Sequence, residues 1–96
     1  MFVGILRLEF ILHGNESLKD KRRVAQSLKQ KLRSRFNVAV AEAGSENNMN
    51  RLSLALVSAS NDKRHLEGRL GKCLNLAQAA CGEELIYDDL EIIGTE

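Results

Sequence analysis

The chain has 96 residues, enough for one domain with a single core and too few for two. Its 44% hydrophobic and 28% charged content argue against a disordered chain, and no stretch reaches the roughly 18 uninterrupted apolar residues of a membrane span. The net charge of +1 hides a strong polarity: residues 17–36 hold eight basic side chains against Asp20 alone, and the remainder holds six against twelve acids.

At the N-terminus, "MFVGILRLEFIL" carries Arg7 and Glu9 and no basic leader, which predicts a strand and not a secretory signal. Residues 2–13 alternate. Phe2, Leu6, Leu8, Phe10 and Leu12 share one face, while Val3, Ile5, Arg7, Glu9 and Ile11 share the other, the period of a half-buried strand. "HGNES" breaks the pattern with Gly14 and Asn15. Ser17, three residues before Asp20, has the chemistry of an N-cap. Leu18, Val24, Ala25, Leu28, Leu32 and Phe36 then form the apolar stripe of a helix of about five turns, which Asn37 can close.

"VAVAEA" follows as a short strand, with Val38 and Val40 on one side and alanines on the other, and "GSENNMN" is a polar loop. "RLSLALVSAS" alternates again, with Leu52, Leu54 and Leu56 inward. "SND" at 60–62 supplies a second N-cap, and Leu66, Leu70, Cys73, Leu74, Ala77 and Cys81 make the stripe of a second helix ended by Gly82. Gly68 and Gly71, on its polar side, hint at close approach. "ELIYDDLEII" is the last strand, with Asp88 and Asp89 marking a bulge or an early break. Strand, helix, strand, strand, helix, strand predicts an α+β fold over residues 1–96. It is the ferredoxin-like βαββαβ two-layer sandwich, a four-stranded antiparallel sheet with two helices on one face.

Little in the chain points to catalysis. His13 and His65 lack a Cys or carboxylate at ligand spacing, so no metal site is expected. Cys73 and Cys81 fall on an apolar stripe without a nearby base. They suit core filling in a reducing cytoplasm better than nucleophilic chemistry. "HGNES", at the entry to a helix with Lys19, Lys21 and Arg22 close by, resembles the placement of the active loop in acylphosphatases. The fuller glycine- and arginine-bearing pattern of that loop is missing, and Glu16 puts a negative charge where an anion would dock. A phosphate-ester or acyl-phosphate enzyme is therefore the weakest reading. A non-enzymatic protein without cofactor is expected.

The basic helix carries the strongest signal. At about 100° per residue, Arg22, Lys29 and Arg33 flank the apolar stripe, and Lys19 and Arg23 extend it over about 20 Å of helix. Lys19–Arg23, Lys29–Arg33 and Lys31–Arg35 are like-charged pairs at i,i+4, each costing about 0.2–0.5 kcal/mol. Cations in the first turn also oppose the helix dipole, by about 0.3–1 kcal/mol each. A surface serving only solubility would do better with Glu–Lys pairs, so the stripe suits a polyanion whose counterions are released on binding. Lys19, Lys21, Arg22, Arg23, Lys29 and Arg33 are the candidate nucleic-acid contacts. Lys21 is unusual because its angular position lies inside the apolar stripe. It either snorkels past the sheet edge or reaches a ligand or a carboxylate at the end of the sheet. Arg35 is a similar case at the other end of the helix.

The sheet face away from the helices would expose small apolar groups with a few charges. Val3, Ile5, Ala55 and Val57 make it a candidate homodimer face, and it lacks the paired aromatics on which an RNA-recognition motif stacks bases.

"SLKDKRRV", "LRSRFNVAVAE" and "VSASND" resemble the YlxP-like family, bacterial domains of unknown function, over essentially the whole chain. The matching positions are Ser17, Leu18, Lys19, Lys21, Arg22, Arg23, Arg35, Phe36, Asn37, Val38, Ala41 and Glu42. The resemblance implies a ferredoxin-like fold. Because such proteins are often encoded beside ribosome-maturation and translation-initiation genes, it also implies contact with RNA or the ribosome. Similar proteins tend to carry Trp-Gln-Arg where this chain has Met49, Asn50 and Arg51, so base stacking there is not expected. The expected function is an RNA- or ribosome-associated binding module without membrane attachment. The alternative is a homodimeric interaction module with no nucleic-acid role.

Overall fold

The computed structural model describes residues 1–14, 17–44, 48–81 and 83–95. The elements are β1 (Phe2–Ile11), α1 (Leu18–Arg35), β2 (Ala39–Glu42), β3 (Arg51–Ser60), α2 (Lys63–Cys81) and β4 (Glu84–Gly94). The sheet order is β2-β3-β1-β4, antiparallel throughout, as the ferredoxin-like pattern requires. β1 and β3 pair over ten residues, from Phe2 opposite Ser60 to Ile11 opposite Arg51.

Period-two alternation places Leu6, Leu8, Phe10 and Leu12 on the same buried side as Leu52, Leu54 and Leu56. Ala25, Leu28 and Leu32 of α1 and Leu66, Leu70, Cys73 and Ala77 of α2 close this layer from above. Burying such leucine side chains supplies about 1.5–3 kcal/mol each, the main force holding both helices on one face.

Capping follows the sequence at α1. Ser17 has extended backbone, and its Oγ accepts from the Asp20 amide at 3.2 Å. At the other end Phe36, not Asn37, is the cap residue, its amide donating to the Leu32 carbonyl. Asn37 instead turns its carbonyl to Ser58 Oγ, which donates at 2.6 Å. Leu18, expected in the apolar stripe, is exposed, because the buried stripe starts one turn later at Lys21 and continues through Ala25 and Leu28 to Leu32. At α2, Asp62 caps by accepting from the His65 amide at 3.1 Å. Gly82 lies outside the described residues.

β4 does not break at Asp88 and Asp89. Its irregularity lies earlier: Glu9 pairs with Tyr87 and Phe10 with Leu85, leaving Ile86 as the extra residue of a bulge. Among the described residues no segment of this chain approaches Gly68 or Gly71 closely, since a Cβ at either would meet nothing within 4 Å. The glycine that matters for packing is Gly4. A Cβ there would lie 2.5 Å from Leu70 Cδ1 and 3.3 Å from Leu66 Cδ2, so α2 rests directly on β1 backbone. Gly4→Ala is expected to destabilise the fold by about 1–3 kcal/mol, read from chemical denaturation with an unchanged m-value.

Candidate functional site

α1 displays its charges according to helical position. Lys19, Arg22, Arg23 and Arg33 are exposed, and Lys29 is half-buried. None of these five forms an ion pair among the described residues. On the α2 side, α1 turns Arg23, Val24 and Ser27 toward Ala80 and Cys81, and Arg35 toward Lys72. Arg22, Lys29 and Arg33 fall on the opposite flank of the buried stripe and so face away from α2.

Lys21 departs from this set. Its side chain is only 2% exposed, and its Nζ lies 2.9 Å from Oε1 of Glu42. The candidate phosphate contact is therefore corrected to a buried ion pair: Lys21 reaches a carboxylate at the end of the sheet and does not reach solvent. Glu42 can meet it because it follows Val38 and Val40 in the inward parity of β2, opposite Leu54. The 2.9 Å approach is an ion pair by distance, yet Oε1 accepts no hydrogen bond of good angular geometry among the described residues. Attraction of charge, with one partner almost wholly desolvated, is the main interaction.

The expected phosphate cradle at residues 13–17 includes Asn15 and Glu16, which lie outside the described residues. His13 beside it contacts acids that the sequence placed far away: its amide donates to Glu83 Oε2 at 2.9 Å, and Nε2 lies 3.2 Å from Glu84 Oε1. The His13 ring and the Glu84 carboxylate are largely exposed. Burial pushes the Cys73 thiol up to about 11, with the nearby Arg69 charge opposing, and pushes Cys81 up as well. Both therefore hold their protons, the unreactive form of the side chain. Among the described residues, no group of three His, Cys, Asp or Glu comes together to hold a metal ion, and no helix is long and apolar enough to cross a membrane.

The outer sheet face carries Val3, Ile5, Ala55 and Val57 as the register demands, with Ala39 opposite Val57 and Ala41 opposite Ala55. Val57, Tyr87 and Ile93 are exposed there. Charges cross it in two places: Arg7 lies 3.3 Å from both Asp89 and Glu91, and Arg51 lies 3.0 Å from Glu9. Arg51 of the variant Met-Asn-Arg run is thus engaged within the sheet.

A second cationic group was missed by the sequence reading. His65, Arg69 and Lys72 stand at i, i+4 and i+7 on α2 and, with Arg35, line one cleft beside Phe36 and Asn37. The spacing was visible in the sequence; the proximity of Arg35 was not.

The sequence model of the family described as protein of unknown function (DUF503) matches residues 3–88. The chain belongs to this family. Among relatives of this DUF503 protein, the uncharacterized protein YlxP of Bacillus subtilis (strain 168) is 28% identical over 72 residues, covering 75% of this chain and 78% of YlxP. Solved structures share the fold at much lower identity. One is the protein YJCS, with TM-score 0.57 and 10% identity over all of both chains. Another is SnoaB, a cofactor-independent oxygenase from Streptomyces nogalater, with TM-score 0.53 and 12% identity over 98% of this chain and 92% of that one. At such identities the likeness is one of fold alone.

Truncating one partner of the buried pair tests its weight. Lys21→Met is expected to cost about 3 kcal/mol by stranding the Glu42 carboxylate, and Lys21→Met/Glu42→Leu to recover most of that loss. Denaturation of both variants measures it, and the double-mutant cycle isolates the coupling.

Proposed function

We propose that the protein is a non-enzymatic, cytoplasmic RNA- or ribosome-associated module that grips phosphate backbone along α1. The observation that supports it is the row of Lys19, Arg22, Arg23, Lys29 and Arg33, all at least partly exposed and without a carboxylate partner among the described residues. A helix that tolerates like-charged neighbours and cations against its dipole keeps a surface that a polyanion would stabilise. Phosphates are the fitting polyanion, because contact with them releases condensed counterions. Such contacts position a protein without reading sequence, so binding would be weak, sequence-tolerant and salt-dependent.

The test is a salt titration of binding to structured ribosomal RNA. Each neutralised phosphate contributes about 0.7–0.9 to the slope of log affinity against log salt. The Arg22→Glu/Lys29→Glu/Arg33→Glu variant should lose that binding and flatten the slope by about 2–3. Equal affinity in the variant, or no wild-type binding at low salt, would overturn the reading.

A second reading, a homodimer through the outer sheet face, is favoured by the exposed Val57, Tyr87 and Ile93 beside small alanines. Sedimentation equilibrium should then give a concentration-dependent mass that Val57→Glu returns to the monomer value. A strict monomer at high micromolar concentration would remove this reading.

A further inference from the structure

The cleft between the end of α1 and the face of α2 is unexplained by the α1 stripe. It offers about 300 Å³ of space and is lined by Arg35, His65, Arg69 and Lys72, with no acidic side chain in its wall among the described residues. That volume lies at the lower end of small-molecule sites. It adjoins a second hollow of about 500 Å³, sharing Arg35, Phe36 and Lys72 and extended by Asn75 and Leu76. Among the described residues none of Arg35, Arg69 and Lys72 forms an ion pair, so three permanent cations converge without a counter-charge.

Arg69 is held in place. Its Nη1 donates to Ser58 Oγ at 2.6 Å and to the Ala59 carbonyl at 3.1 Å. Ser58 is itself 5% exposed and donates onward to the Asn37 carbonyl at 2.6 Å. With Nη1 committed to the wall, the Nε–Nη2 edge of the guanidinium is left for two oxygens of an anion such as phosphate. Gly68, one turn from Lys72, adds no side chain: a Cβ there would meet nothing within 4 Å.

We infer that this cleft binds the phosphate group of a small phosphate monoester. The doubly charged monoester matches three converging cations better than a singly charged diester or carboxylate does, and its oxygens suit the fork of Arg69. The adjoining hollow, with the Phe36 and Leu76 side chains and the Asn75 amide, takes the organic part. The inference stands apart from the α1 stripe, which lies on the other flank of that helix.

The experiment is an amide-resolved NMR titration at low salt with adenosine 5′-monophosphate, with adenosine and with inorganic phosphate. The nucleotide should shift the amides of Gly68, Arg69 and Lys72 saturably, inorganic phosphate should shift the same amides more weakly, and adenosine should not. Arg35→Glu/Lys72→Glu, at exposed positions that leave the core untouched, should weaken nucleotide binding at least tenfold with an unchanged far-ultraviolet spectrum. Arg69→Lys, which keeps the charge and loses the fork, should weaken it less than the charge reversal. Equal shifts with adenosine, shifts confined to α1, unchanged affinity in the double variant, or no saturable shift at all would overturn the inference. Because the readout is local to the cleft, its failure leaves the RNA reading intact, and failure of the RNA titration leaves the cleft intact.

Discussion

The buried contact between Lys21 and Glu42 sets which way the charges of α1 face. Lys21 occupies the first buried position of α1, where a leucine would satisfy the core. An ammonium there requires a carboxylate, and the end of β2 brings one. The pair therefore ties the first turn of α1 to a four-residue edge strand whose backbone pairs with β3 alone. It also fixes the rotation of the helix. With Lys21 turned inward, Arg22, Lys29 and Arg33 emerge on one flank and Arg35 on the other. A buried ion pair contributes little net stability compared with packed hydrophobes, so its value lies in this specification.

A second polar node performs a comparable role at the opposite end of α1. Ser58 on β3 accepts from Arg69 of α2 and donates to Asn37 at the end of α1. Three elements thus meet at one buried hydroxyl, in a layer built mainly from apolar side chains. On the same end of the sheet Gly4 lies opposite Ser58 and lets α2 seat on the backbone. The seat and the node together determine how closely α2 approaches, and hence the width of the cleft beside it.

Much of the fold was legible because alternation and helical spacing are local. Phe10, Leu54 and Leu70 announce their faces from neighbours two to four residues away. Errors arose where the outcome depended on distant partners. Leu18 sits one turn too early to be covered, and Asn37 serves Ser58 and not the helix end. The bulge at Ile86 is a matter of β1–β4 register, which no local pattern encodes. The site followed the same division. Exposure of Arg22 and Arg33 was readable from the wheel. Lys21 was readable as anomalous, with a carboxylate at the end of the sheet as one alternative, but Glu42 was not singled out, although the inward parity of Val40 extends to it and was a usable clue. The grouping of Arg35 with Arg69 and Lys72 depends on two helices whose meeting is tertiary.

The separation of charge has a consequence for how the molecule moves. α1 packs toward the β2 side, whereas β4, carrying Glu84, Asp88, Asp89 and Glu91, forms the far edge of the sheet. A body nearly neutral in total therefore carries a permanent electric moment directed across the sheet. Near a charged surface it experiences little net pull but a strong torque. Within a Debye length, about 8 Å at physiological salt, it turns before it is drawn in, so orientation precedes contact.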